Sequence, residues 1–458
     1  MKFDRRSLIA ALAAATSATA AAPVFAREIA AAGREPGQRS GIDASSVGLR
    51  PNAAEDQSRA FQRAIDSASA AGAVLRLGPG LYRAGRLTLP SHTAITGVAG
   101  STHIVLAGAP NMLTATGSDY VSLSGLILDG ANVPLPAQHG LIHIAQGRAL
   151  RIAECEIVNA GGPAIKLEGV QGEVSGNTIG ACDTAIFCVD GRGMKISGNT
   201  VRAGGNNGIL VWRSSPGDDG TLVVDNRIEG IANKSGGSGQ YGNAINVFRA
   251  DNVIVRGNRI RNAAFSAVRG NAASNLQIVD NTCTGLGEVA LYAEFGFQGA
   301  VIANNIVDGA AMGVSVTNFN NDGRLAVVQG NLIRNLVPRR PTGTDPNDDA
   351  GVGIGIEADT LVTSNVIENA PHAGITAGWG KYLRDVSITD NMVRGAGYGI
   401  TVSVAPGAGT TLVANNLIAG ARLGAIIGME WKKPVTGDLA QDGAARYAQL
   451  SLSGNQVR

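Results

Sequence analysis

The sequence predicts an all-β chain, a single right-handed parallel β-helix closed at its N-terminal end by a capping helix. Three observations predict it. An asparagine phrase recurs along most of the chain, a small–apolar phrase follows it nine or ten residues later, and Gly and Asn stand at the joints between them. Internal repetition at this period is the signature of a solenoid.

The first residues read as a targeting segment, outside the fold. Arg5-Arg6 is followed by Leu8-Ile9, an alanine-rich stretch runs to Ala22, and Val24-Phe25-Ala26 supplies small residues for cleavage. Residues 1–26 therefore resemble a twin-arginine signal, which exports chains already folded. A general secretory signal with two chance arginines is the other reading. Residues 27–40 form a linker, and the β-helix with its cap occupies 41–458. The expected location is periplasmic or secreted. No later stretch reaches 18 apolar residues, so no stable membrane insertion is expected after signal removal.

The cap comes next. Asp56 to Ala68 reads as an amphipathic helix, with Phe61, Ala64, Ile65 and Ala68 as its apolar stripe. Asp56 can N-cap it and Gly72 stop it. Val74–Leu77 is then a strand and Gly78-Pro79-Gly80 a turn.

The repeat follows. Asn, any residue, then Ile, Val or Cys appears at Asn177, Asn199, Asn226, Asn258, Asn281, Asn305, Asn331, Asn365, Asn391, Asn416 and Asn455. Leu126-Ile-Leu128 and Cys155-Glu-Ile157 look like earlier, degenerate copies. The answering phrase includes Ala185-Ile186, Gly208-Ile209, Ala267-Val268, Ala290-Leu291, Gly374-Ile375 and Gly399-Ile400. Period-two alternation after it means strand with one face buried. Gly and Asn suit the turns because they tolerate positive φ. Stacking about a dozen coils buries continuous Ile and Val columns, and the asparagines should stack as well, trading amide hydrogen bonds between coils.

Composition removes other classes. The 63 glycines have no period of three, which excludes collagen, and 44% hydrophobic content argues against disorder. A net charge of +2 without a basic stripe gives no case for nucleic acid. Cys155, Cys182, Cys188 and Cys283 are too few for a disulfide scaffold. Cys188 and Cys283 fall on inward positions as buried thiols, and a Cys155–Cys182 bridge would join different columns. No metal-ligand spacing or cofactor motif is present, and nothing bears on oligomeric state.

Gly41-Ile-Asp43, the helix ending in Ala64-Ile65-Asp66-Ser-Ala68, and Leu77-Gly-Pro79-Gly80-Leu-Tyr82, together with the repeat, resemble the opening segment of the pectin-lyase-like β-helix superfamily. The signal plus the repeat further resembles a family of Tat-exported repetitive proteins. The first resemblance implies a fold that hosts hydrolases, lyases, epimerases and pure binders of polysaccharide. The Asn-Thr-Asp and Arg-Ile-Lys signatures of polygalacturonases are absent. Of the epimerase Asp-Pro-His-Glu, only Pro371-His372 is present.

The insertions Ala232–Asn243 and Leu336–Ala350 interrupt the same link and should project along one edge of one strand column, with further insertions on the opposite edge. Two rows of loops would wall one sheet face, and function tends to sit on such loops. The expected outward column is Leu210, Asn246, Arg269, Tyr292, Ser315, Glu357, Thr376 and Thr401. Two residues on come Trp212, Phe248, Asn271, Glu294, Thr317 and Asp359. The candidate substrate-binding residues are Trp212, Asn246, Phe248, Arg249, Trp379 and Trp431. The tryptophans are either sugar platforms or rings packed beneath their loops. The candidate catalytic residues are Arg269, Tyr292 and Glu294. Arg269 would hold a uronate carboxylate and lower the tyrosine pKa, permitting proton abstraction. Arg249 is a second cation nearby. The alternative is a structural arginine stacked on a tyrosine ring. Glu294 and Asp359, two coils apart or about 9.6 Å, sit near the upper carboxylate separation of an inverting glycosidase, or are solvated acids. The sequence thus points to a polysaccharide binder and modifier, or to a non-catalytic glycan-binding or scaffold β-helix.

Overall fold

In the computed structural model, residues 40–458 are described except 109, 137 and 319–322. The signal segment and all but the last residue of the linker lie outside the described residues. The unit from Gly41 to Arg458 is one parallel β-solenoid. Three strand columns run along it. The first is a sixteen-stranded sheet whose order follows the chain from Gly41–Asp43 to Leu450–Ser453. The second and third, which carry the asparagine phrase and the small–apolar phrase, merge into one larger sheet. Among the described residues one strand pair is antiparallel, Gly424–Glu430 with Lys433–Asp438, at the C-terminal end.

The asparagine ladder forms as expected. The Asn281 Oδ1 accepts from the backbone N–H of Asn258 at 2.9 Å and from its Nδ2 at 3.0 Å. In turn the Asn281 Nδ2 donates to the Val255 and Val279 carbonyls and to the Asn305 Oδ1. The same pattern runs from Asn177 through Asn455. The residue before each ladder asparagine is left-handed, with φ of 56–67°. Gly, Asp, Asn and one Ser occupy that corner, the residues that meet the least strain there. Cys155 begins the ladder, its N–H bonded to the Asn177 Oδ1 at 2.9 Å. There are more coils than the expected dozen, because those before Cys155 have no asparagine in the ladder position.

The residue after next points inward. Ile179, Val201, Ile228, Ile260, Cys283, Val307 and Ile333 are partners on successive coils and all are buried. Each such side chain contributes about 1.5–3 kcal/mol by leaving water. The degenerate copies align too, Ile157 lying between Leu128 and Ile179. The small residue of the second phrase has a steric cause. A Cβ at Gly374 would lie 2.4 Å from Val393 Cγ1 and 2.7 Å from the Gly399 carbonyl oxygen.

The helix spans Ser58–Ala70 and buries the predicted Phe61, Ala64, Ile65 and Ala68 against the first coils. It starts later than expected. Asp56 lies outside it and accepts from the Ser58 N–H at 2.8 Å. All four cysteines are free and buried, so the possible Cys155–Cys182 bridge does not form. Burial pushes the thiol of Cys155 up to about 11 and those of Cys182 and Cys283 to about 12.

Two outcomes follow. Asn281→Ala strands backbone and amide groups on both neighbouring coils and should destabilise the protein by about 2–4 kcal/mol. Asn455→Ala, on the half-buried last rung, should lose less. Denaturation midpoints check this, and equal losses would contradict the ladder's role. A thiol reagent at mildly alkaline pH should find no reactive cysteine in the native protein and four after denaturation. Any native titre would place a thiol at the surface.

Candidate functional site

The outward face of the third column carries the expected residues, with one slip. Asn246, Arg269, Tyr292 and Ser315 are partners on successive coils. The next partner is Gly355, not Glu357. The strand begins its inward alternation at Ile354 rather than Ile356, and a slip of two keeps side chains on the correct face. The column two residues on runs Trp212, Phe248, Asn271, Glu294 and Thr317. Asp359 is not in it and binds Arg384. The Glu294–Asp359 pair therefore does not exist as a two-carboxylate site.

The two insertions do more than wall this face. They fold over part of it and meet, the Ser238 N–H bonding the Gly343 carbonyl at 2.9 Å. Phe265, fully buried, supports both: a Cβ at Gly242 would lie 2.2 Å from its ring, and one at Gly343 would lie 3.3 Å from it. Beneath this roof Asn246 and Arg269 are 2% and 9% exposed. Asn246 was expected to meet substrate. Instead its Nδ2 donates to the Gly239 carbonyl at 2.8 Å, so it anchors the roof.

Arg269 also departs from its expected role. Its Nε and Nη2 donate to the two Glu294 oxygens at 2.7 and 2.8 Å, and its Nη1 to Glu288 at 3.4 Å. Glu288 meets Arg340 at 3.2 Å, and Arg340 meets Asp348 at 3.3 Å. Glu294 is fully buried and also accepts from Asn271 at 2.7 Å. Burial raises the Glu288 carboxyl above its ordinary range despite both arginines. The guanidinium lies 4.8 Å from the centre of the Tyr292 ring, the stacked structural arrangement. Burial raises the Tyr292 phenol, and the Glu294 charge adds to this by more than Arg269 relieves. Arg269 is therefore not a free carboxylate clamp and Tyr292 not an activated phenolate, because Glu294 supplies the anion that a uronate would have supplied.

The aromatic candidates fall into two groups. Half-buried Trp212 packs edge-on to Phe187 at 5.2 Å and tilted against Phe248 at 5.6 Å. Arg249 lies 4.7 Å from the Phe248 ring centre. Trp379 and Trp431 form the other group, ring centres 5.4 Å apart at 75°. They border an open cleft of about 520 Å³ on the same sheet face, beyond the roof. Its floor is Tyr292, Ser315, Gly355, Thr376 and Thr401, and its walls carry Asp348, Asp349, Glu357, His372 and Lys432. Trp431 is 46% exposed. Lys432 reaches across from the C-terminal turn to the Asn347 carbonyl and to Asp349, the latter at 3.0 Å.

Sequence reading missed Glu288, Arg340, His372 and Lys432 as members of the site. The signal within reach was the polar content of the Leu336–Ala350 insertion, already identified as a wall. Among the described residues no group of three or more His, Cys, Asp and Glu is placed to hold a metal. No described helix is long and apolar enough to cross a membrane.

The network makes the roof testable. Arg269→Met leaves Glu294 buried without its cation and should cost about 3–5 kcal/mol. Adding Glu294→Leu should recover part of that loss, giving a coupling well outside additivity in a double-mutant cycle. Additive losses would show that the pair is not coupled.

Residues 112–235 match the family model described as a right-handed beta helix region. No curated protein matches the sequence. Among solved structures, the pre-mature bacteriophage phi29 gene product 12 aligns at 14% identity over 91% of this chain and 56% of its own, with a TM-score of 0.51. The A-module of the Azotobacter vinelandii mannuronan C-5 epimerase AlgE6 aligns at 18% identity over 91% and 99% of the two chains, TM-score 0.45. The Streptococcus pneumoniae surface protein and adhesin PfbA aligns at 14% identity over 91% and 97%, TM-score 0.42. Identities this low speak to the fold alone; the matched segment and the parallel registers make this chain a right-handed parallel β-helix protein.

Proposed function

We propose that this protein binds a glycan in the cleft between Tyr292 and Trp431. The observation that carries the reading is the Trp379–Trp431 pair beside a floor of hydroxyls from Ser315, Thr376 and Thr401. Aromatic faces take the C–H faces of sugar rings, while hydroxyls and carboxylates exchange hydrogen bonds with sugar hydroxyls. The cations bordering the cleft are already engaged. Arg340 is held by Glu288 and Asp348, and Lys432 by Asp349. A neutral sugar suits such a site better than a polyuronate. The signal expected at residues 1–26 would deliver the folded chain outside the cytoplasm, where polysaccharide is met.

Modification of the bound glycan is the second reading. Asp348, Asp349 and Glu357 border the same cleft, and paired carboxylates are the groups that glycoside hydrolysis uses. Elimination has no such support, since both Arg269 and Tyr292 are withdrawn from it.

Titration with soluble neutral glycans should change the tryptophan fluorescence. Trp379→Ala and Trp431→Ala should each weaken binding by about 1–2 kcal/mol, roughly tenfold in Kd, with the thermal midpoint retained. Trp212→Ala, outside the cleft, should bind as the parent does. Binding indifferent to both cleft tryptophans would sink the proposal. Release of new reducing ends from a bound polymer would establish the second reading.

A further inference from the structure

We infer that the cleft receives the terminus of a glycan chain and excludes its interior. The inference rests on the glycan reading above and narrows it to one class of ligand, a chain end or short oligosaccharide.

The observation is that the groove is blind. The outward column of the third sheet face is continuous in register from Leu210 through Asn246, Arg269 and Tyr292 to Ser315. An uncovered face of this kind would be a through-groove along which a polymer could lie at any register. On the C-terminal side of the roof the column opens at Tyr292. The two positions before it, Asn246 and Arg269, are roofed by the joined insertions, with Asn246 bonded to Gly239 and Ser238 to Gly343. The roof is fixed from below by charge. The buried Arg269 holds Glu294 and Glu288, and Glu288 holds Arg340 of the second insertion. Such a network leaves an uncompensated buried charge if the roof lifts, so a passing polymer does not displace it.

The far end is closed by a different device. Beyond Thr401 the third column has one further strand, Gly424–Glu430, and it turns back antiparallel as Lys433–Asp438. At the tip of that turn Trp431 packs edge-on against Trp379, and Lys432 reaches the opposite wall at Asn347 and Asp349. The open floor therefore runs from Tyr292 to Thr401, five coils or about 19 Å, with a stop at each end. A chain can enter from the mouth and run against the roof. It cannot continue past it.

The test compares one binding polysaccharide intact and after partial acid hydrolysis, at equal sugar mass, by tryptophan fluorescence and calorimetry. If ends are bound, the half-saturating mass falls in proportion to the ends created, about tenfold for a tenfold increase in ends. Equal half-saturating mass for the two preparations means interior binding and overturns the inference, while leaving the glycan reading intact. No response to either preparation of any neutral glycan overturns both. A second variant locates the cause. Replacing residues 233–241 by a short glycine linker should let the intact polymer bind about as well as its fragments, in a chain whose circular dichroism is unchanged. Retained preference for fragments in that variant would show that the roof is not the stop.

Discussion

The buried asparagine ladder is the constraint on which the rest of the structure depends. Each amide accepts from the coil before it and donates to the coil after it and to backbone carbonyls. A side chain thereby fulfils the hydrogen-bonding groups of a tight corner that backbone pairing alone would leave open. The left-handed residue before each asparagine turns the chain, and the residue after next is aimed at the core. Corner, ladder and core are therefore one device. Because it pins every coil from Cys155 onward at the same point, the links elsewhere are free to vary. Successive ladder asparagines are as close as 22 residues and as far apart as 39 without loss of register.

That freedom is where the site comes from. The two insertions leave the same edge, fold inward over the third column and join. Burying four charged groups under them is unfavourable by itself, and it is tolerated because the charges are matched in one connected chain from Glu294 through Arg269 and Glu288 to Arg340, which also meets the exposed Asp348. The bidentate contact of Arg269 with Glu294 adds geometric precision to the match. The network holds a roof in place and shapes the cleft beyond it.

The competition at Tyr292 shows which effect wins. An adjacent guanidinium lowers a phenol's pKa, and Arg269 does act in that direction. Desolvation acts against it, and Glu294 adds a negative charge at the same distance scale, so the phenol ends above its ordinary value. A cation does not activate a neighbour when its charge is already neutralised by a closer anion.

Periodicity made the fold legible. The asparagine and small–apolar phrases report local geometry that repeats on every coil, so the inward columns, the buried cysteines and the apolar stripe of the helix could be read without coordinates. The face carrying the candidate site was legible for the same reason, since Arg269, Tyr292 and Glu294 stand where the alternation puts them. What those residues do was not. Glu288 lies just before the strand Val289–Glu294, Arg340 inside an insertion, and Lys432 at a turn near the C-terminus. No spacing relates them, because loops obey no period. Whether Arg269 faces a ligand or another part of the chain depends on which carboxylate reaches it first. The sequence by itself determined the coil, the columns and which residues share the outward face that carries the candidate site. Only the tertiary structure decided which part of that face stays open, because loop folding and charge pairing across more than fifty residues select it.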